Sequence, residues 1–188
     1  MSNQRKYTEQ ELIEGCSKGN RSCQYFLYEQ FNKRMMAVCL RYAKSTQQAE
    51  DILQEGFVKV FEHIKDFRKE SQLETWITRI MVNTALNMHR KKLYLFPMVD
   101  VDDTVLLNPD ENLDALAFEQ LIEMIQSLPH GCQLIFNMYA VEGYTHQEIA
   151  GLLGISEGTS KSQYARAKEL LRKQLQQEAN RLKYGDTQ

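Results

Sequence analysis

An all-α protein made of two small helical domains is what this sequence predicts, and three observations predict it. Apolar residues return at steps of three and four through most windows, the spacing of one face of a helix. Glycine and proline are scarce, 9 and 3 in 188 residues, too few to punctuate a chain of short strands. The periodicity lapses over residues 95–111, where Pro97, the run Val99-Asp100-Val101-Asp102-Asp103 and the pair Asn108-Pro109 leave no helix standing. The expected layout is a domain over residues 1–94, a flexible acidic linker over 95–111 and a second domain over 112–188.

Composition narrows the function. Hydrophobic residues make up 43% of the chain, enough for two cores. The net charge of -2 conceals an asymmetry: residues 96–126 carry no base and eight acids, while residues 1–95 hold an excess of five bases. Two cationic lobes on an anionic connector suit two separate nucleic-acid contacts. No run approaches membrane-spanning length and the N-terminus lacks a signal peptide's apolar segment, so a cytoplasmic protein without direct membrane insertion is expected. Cys16, Cys23, Cys39 and Cys132 form no C-x-x-C pair and read as buried or half-buried free thiols of a reducing compartment.

In the first domain, Thr8 and Glu11 have the spacing of a capping box and Tyr7 with Leu12 that of a hydrophobic staple, opening a helix within residues 7–15. After a Gly19-Asn20 turn, Leu27, Phe31, Met35, Val38 and Tyr42 mark the inward stripe of a long helix. Ser45 and Gln48 offer a further box, opening a helix over residues 46–65 with Leu53, Phe57, Val60 and Ile64 inward. Asp51, Gln54, Glu55, Val58 and Glu62 fall on its other side. Ser71 and Glu74 start a fourth helix, with Leu73, Ile77, Ile80, Thr84 and Met88 as its stripe and the basic cluster His89-Arg90-Lys91-Lys92 at its end. Four helices with matching stripes make a bundle.

The second domain begins with a helix over residues 112–127, carrying Leu113, Ala117, Leu121, Met124 and Leu128 on one side. Pro129 starts another, with Leu134, Ile135, Met138 and Tyr139. Residues 144–173, YTHQEIAGLLGISEGTSKSQYARAKELLRK, then read as two helices about a tight turn. Thr145 and Glu148 make a capping box, and Tyr144 with Ile149 a staple. Ile149, Ala150, Leu152 and Leu153 give the short first helix its apolar side, and Gly154 tolerates the positive φ of the turn. Ser156 can cap the second helix, which runs to about residue 182. Its inward stripe is Ser160, Tyr164, Ala167, Leu171 and Leu175. Lys161, Ser162, Ala165, Arg166, Glu169, Arg172 and Lys173 face out. Over residues 158–183 seven bases oppose two acids, the pattern of a DNA-reading helix-turn-helix. A plain amphipathic hairpin with a solvated polar face has the same pattern.

Two stretches together resemble a known family. Residues 49–92, AEDILQEGFVKVFEHIKDFRKESQLETWITRIMVNTALNMHRKK, resemble the second region of bacterial sigma factors, in particular the two-domain extracytoplasmic-function (ECF) class. Residues 128–173 resemble the fourth region, and the two stand in the family's order at the family's separation. The resemblance implies a transcription initiation factor, not an enzyme, that binds core RNA polymerase, directs it to promoters and assists their opening. It implies no cofactor, no metal and no catalytic residue. Its implied partners are promoter DNA, the polymerase β′ clamp helices and β flap, and, as is common in the family, a membrane-bound anti-sigma factor.

The resemblance also assigns residues. Asp51, Gln54, Glu55 and Val58 match the polymerase-docking D-x-x-Q-E helix; without the resemblance they read as a solvated acidic face. Lys65, Asp66, Phe67, Arg68, Lys69 and Ser71 match the loop that captures a flipped base of the minus-ten element, a step whose unstacking cost protein contacts offset. Phe67 could stack on that base or belong to the core, and Trp76 reads as a core anchor. Arg79, Asn83, Asn87, Arg90, Lys91 and Lys92 continue along the next helix, the last three as phosphate contacts. Lys161, Ser162, Gln163, Ala165, Arg166 and Lys168 match the readers of the minus-thirty-five element, where Lys161 and Arg166 can donate to guanine and Ala165 can touch a thymine methyl. The chain departs from the family at Ser160, usually Val and so expected to loosen the packing, and at Gln163, often Arg. The acidic connector matches a linker near the polymerase cleft, where an anionic strand can mimic RNA.

Two other functions compete. A stand-alone helix-turn-helix repressor or activator would bind DNA tightly by itself. A nuclease would need metal ligands, and His63, His89, His130 and His146 form no such pattern.

Overall fold

The structure is a computed structural model that describes residues 7–89 and 115–185. The acidic linker and Arg90, Lys91, Lys92 and Leu113 lie outside the described residues, as do the side chains of His89 and Ala117. Every regular element among the described residues is helical. The chain divides into two compact units, Met1–Met88 and His89–Gln188.

The first unit holds α1 (Glu9–Ser17), α2 (Arg21–Tyr42), α3 (Thr46–His63) and α4 (Leu73–His89). The Thr8–Glu11 capping box closes on α1, and Asn20 caps α2 through the N–H groups of Ser22 and Cys23. The Ser45 box closes only by half. Ser45 accepts from the Gln48 N–H, but the Gln48 side chain reaches one residue further back, to the Lys44 N–H at 2.8 Å. The expected stripes of α2 and α3 are buried throughout. α3 ends earlier than its periodicity suggests, giving way to a 3-10 turn at Ile64–Asp66.

The stripe of α4 needs correction. Leu73, Ile77 and Thr84 are buried, but Ile80 is half-buried and Met88 is exposed, while Met81, Val82, Ala85 and Leu86 are buried instead. Gly56 gives part of the reason, since a Cβ there would lie 2.2 Å from Met81 Sδ. The absent side chain lets α4 approach α3 and buries a side of α4 that a single-stripe count leaves out.

The second unit holds α5 (Ala115–Ser127), α6 (His130–Phe136), α7 (His146–Leu153) and α8 (Glu157–Gly185), with a π-helical turn at Asn137–Val141 after α6. In α5 the inward residues are Ile122 and Ile125, with Leu121 and Met124 only half-buried, a shift of one position from the expected stripe. The Thr145–Glu148 box closes on α7, and Gly154 takes φ 68°, the left-handed turn the sequence asks for. Ser156 Oγ accepts from the Thr159 N–H at 2.9 Å and so caps α8. Leu152 and Leu175, expected inward, are exposed. α8 packs against α5, α6 and α7, and Leu175 stands on its far half, beyond the buried stretch that ends at Leu171.

All four cysteines are buried free thiols. Among the described residues no helix is long and apolar enough to cross a membrane, and no cluster of His, Cys, Asp or Glu could hold a metal ion.

Candidate functional site

The first candidate surface is the outward side of α3. Leu53, Phe57 and Val60 anchor the helix inward, which turns Asp51, Gln54, Glu55 and Val58 to solvent. Val58 is the telling residue, since 55% of it is exposed although it follows the buried Phe57. A small apolar centre among carboxylates and an amide is the make-up of a docking patch, with polar contacts around an apolar middle. Glu55 is held in place: Lys59 Nζ lies 2.5 Å from its Oε1 and also donates to Thr84 Oγ1 on α4 at 3.3 Å. Lys59 escaped the sequence assignment, though its i,i+4 spacing from Glu55 could have found it. Beside this face a groove of about 600 Å³ runs between α2 and α3, with Tyr28, Met36, Leu53 and Gln54 in its lining.

The second surface follows the 3-10 turn. Lys65, Asp66, Arg68 and Lys69 are exposed, and Lys69 takes φ 59°, a left-handed conformation that costs a residue with a Cβ. Phe67 is half-buried with its ring centroid 5.4 Å from that of Trp76, itself half-buried. Phe67 therefore belongs in part to the core. Ser71 is half-buried. Arg79, Asn83 and Asn87, spaced by four along α4, are exposed and share one side of it. A run of cations and amides beside an aromatic pair suits a polyanion with accessible bases.

The third surface is α8, where the structure divides the expected residues. Lys161 and Arg166 are exposed and Ala165 is half-buried. Lys161 is steadied by Glu157, Nζ to Oε1 2.8 Å, and that lysine in turn holds the Glu157 carboxyl below its ordinary pKa. Ser162, Gln163 and Lys168 are buried, which corrects the outward place expected of Ser162 and leaves the other two expected DNA readers away from solvent. The Ser162 hydroxyl folds back to donate to the Thr159 carbonyl at 3.1 Å. Gln163 Oε1 accepts from Cys132 Sγ at 3.0 Å. Lys168 lays its stem along Tyr164, with Nζ 5.0 Å from the ring centroid. Polarity suggested solvent for all three, and tertiary contacts prevail.

Beneath α8 lies a group of rings, of which the sequence stripes held Tyr139 and Tyr164 but not His146. His146, at the first position of α7, stacks on Tyr139 at 4.2 Å and 12°, and Tyr139 lies 4.6 Å from Tyr164. His146 Nδ1 is 2.8 Å from Ser160 Oγ. Burial lowers the His146 pKa, Lys161 adds to the effect and Glu157 opposes it. Burial, and Tyr139 after it, raises that of Tyr164. Ser160 thus meets a hydrogen-bonding partner where the loss of an inward methyl pair was expected to loosen the packing. No local sequence signal links residues 146 and 160, because the turn between them sets the contact.

Known proteins share both halves of this arrangement. Residues 27–93 match the family model for Sigma-70 region 2, and residues 118–171 the model for Sigma-70 region 4. The chain is 27% identical over 182 residues to the ECF RNA polymerase sigma-E factor of Escherichia coli (strain K12), covering 90% of this chain and 95% of that one. It is 26% identical over 181 residues to the RNA polymerase sigma-H factor of Pseudomonas aeruginosa, covering 89% and 94%. In fold it is similar to the sigma factor RpoE of Bartonella quintana, solved in complex with the anti-sigma factor NepR, with a TM-score of 0.51 and 18% identity over 81% of this chain and 96% of that one.

Proposed function

This chain belongs to the sigma-70 family, in its ECF class, and we propose that it docks on core RNA polymerase through the outward face of α3 and on promoter DNA through two further surfaces. It is a transcription initiation factor that directs RNA polymerase to promoters. The observation that carries the docking assignment is the joint exposure of Asp51, Gln54, Glu55 and Val58 on one side of a helix whose other side is core. The β′ clamp helices are the partner for this face and the β flap for the second domain. The division into residues 1–94, 95–111 and 112–188 separates the two contacts.

The loop from Lys65 to Ser71, with Arg79, Asn83 and Asn87, takes the minus-ten element, and Arg90, Lys91 and Lys92 extend its phosphate contacts. Lys161 and Arg166, with Ala165 between them, take the minus-thirty-five element. Sigma factors are in general non-catalytic, and no residue is assigned a catalytic role. The cytoplasm, where core polymerase works, is the compartment, and an anti-sigma protein that covers the docking faces is the natural restraint.

The test is capture of purified core polymerase by the wild-type chain and by Gln54→Ala/Glu55→Ala. Tight capture by the first and poor capture by the second is the result expected. Equal capture by both would remove the docking face from α3. If neither captures core while the free protein shifts a specific DNA fragment, a stand-alone regulator replaces this function.

A further inference from the structure

Two polar ties run beneath α8, each to a different neighbour. His146 Nδ1 meets Ser160 Oγ at 2.8 Å, joining the N-terminus of α7 to α8. Cys132 Sγ donates to Gln163 Oε1 at 3.0 Å, joining α6 to α8. Ser160, Gln163 and Cys132 are all buried, and the His146 ring is braced from behind by Tyr139. The two tied residues are three apart, so they straddle a single turn of the helix. That turn carries Lys161, and Arg166 follows it by less than one more.

The chemistry of the ties matters for what lies on the other side of the helix. The hydrophobic drive is non-directional, so by itself it does not select one roll of a helix. A hydrogen bond weakens steeply once its angle falls below about 120°, so two of them to different helices resist both roll and slide. A guanidinium or ammonium that must meet the O6 and N7 of one guanine depends on that roll.

We infer that His146 and Cys132 are positioning residues for promoter recognition, which act through Ser160 and Gln163 to set the roll of α8 and hence the base edges that Lys161 and Arg166 reach. The inference rests on the assignment of α8 to the minus-thirty-five element. Cys132 is buried and His146 half-buried, each reaching α8 from beneath.

The experiment reconstitutes the full chain with core polymerase and transcribes a promoter pool with a fixed minus-ten element and a randomised minus-thirty-five element. Base preference at each position is a ratio within the pool, so partial unfolding lowers total transcript without changing it. Ser160→Ala removes the hydroxyl, and His146→Phe keeps a ring on Tyr139 while removing Nδ1. Each should reduce base preference roughly three- to tenfold at one or more positions, the size of one lost hydrogen bond. The double variant should lose no more than either single, and His146→Asn, which restores a polar group near the Nδ1 position, should recover most of the preference. Cys132→Ala and Gln163→Leu should form a second non-additive pair.

Arg166→Ala runs in parallel. If it flattens preference while His146→Phe and Ser160→Ala leave the wild-type profile, the ties do not position the helix and the inference fails. Losses of preference that multiply in the double variants would also overturn it, since the two residues then act independently and not through one tie. If Arg166→Ala changes nothing, the assignment of α8 fails first and the inference falls with it.

Discussion

α3 and α8 bury the same six positions and fill them with different chemistry. On α3 these are Ala49, Ile52, Leu53, Gly56, Phe57 and Val60; on α8, at the same intervals, they are Ser160, Gln163, Tyr164, Ala167, Lys168 and Leu171. Both sets span a sector of about 140° at 3.6 residues per turn. The sector of α3 is apolar throughout, whereas that of α8 carries a hydroxyl, an amide and an ammonium. The side chains of that sector on α3 make no directional tie, its link to α4 running outside the sector from Lys59 to Thr84. The outward face of α3 should therefore answer less to what lies beneath it than that of α8 does. The interior of α8 is directional, and its outward face should be coupled to it.

The sharpest way to break this comparison is at the outward face of α3. Val58→Asp should weaken core polymerase binding by about 2–4 kcal/mol, as loss of a central apolar contact does. Its exposure keeps the change in folding stability within about 0.5 kcal/mol. Val60→Ala, two residues on and in the buried sector, should do the reverse, with a lower denaturation midpoint and unchanged affinity of the folded protein for core. A Val60→Ala variant that is stable yet docks poorly would mean that α3, too, is coupled to its interior.

A smaller effect is expected on α8. Arg166→Ala should cost about 1–3 kcal/mol at one base pair of the minus-thirty-five element if its contact is bidentate. Lys168→Met, which keeps the buried stem on Tyr164, should leave base preference as it is. A selection profile flattened by Lys168→Met would show that the ammonium leaves Tyr164 to meet DNA, and the outward face of α8 would have to be widened.

How much of this was legible follows from the same six positions. The expected stripe of α3 held Leu53, Phe57 and Val60, apolar residues that announce their burial, and stopped short of Ile52 at the other edge of the sector. The corresponding edges of α8 are Gln163 and Lys168, whose polarity points to solvent until Cys132 and Tyr164 are brought beside them. Ser162 lies outside the sector, and its burial follows from neither stripe. Caps were legible because they are local: Thr8, Thr145 and Gly154 do what their spacing predicts. The stripes of α4 and α5 were less so, since Met81 and Ile122 are buried by which neighbour lies across from them and not by their own order in the chain.

The smallest effect, and the one that compares the two interiors directly, is their response to pH. Buried titratable groups of the first unit include thiols that burial pushes up, Cys16 to about 11 and Cys39 to about 12. They stay protonated through the neutral and mildly acid range and add no pH dependence there. His146 in the second unit is the opposite case, because its folded pKa is held below the ordinary 6.5, chiefly by burial. As pH falls through 6.5 the unfolded chain takes up the proton before the folded one does. The contribution of His146 to stability is therefore complete above that point and declines from there down to its folded pKa. The lowered carboxyl groups of Glu148 and Glu157 start from 4.5, so their own losses come at lower pH. Hydrogen exchange of the two units at pH 7 and pH 5.5, corrected for the intrinsic rate, should show α7 and the start of α8 losing protection relative to α2. His146→Asn should remove that difference. If α7 keeps its protection in the wild type, the imidazole takes up its proton without disturbing the tie to Ser160, which then binds the charged ring as well as the neutral one.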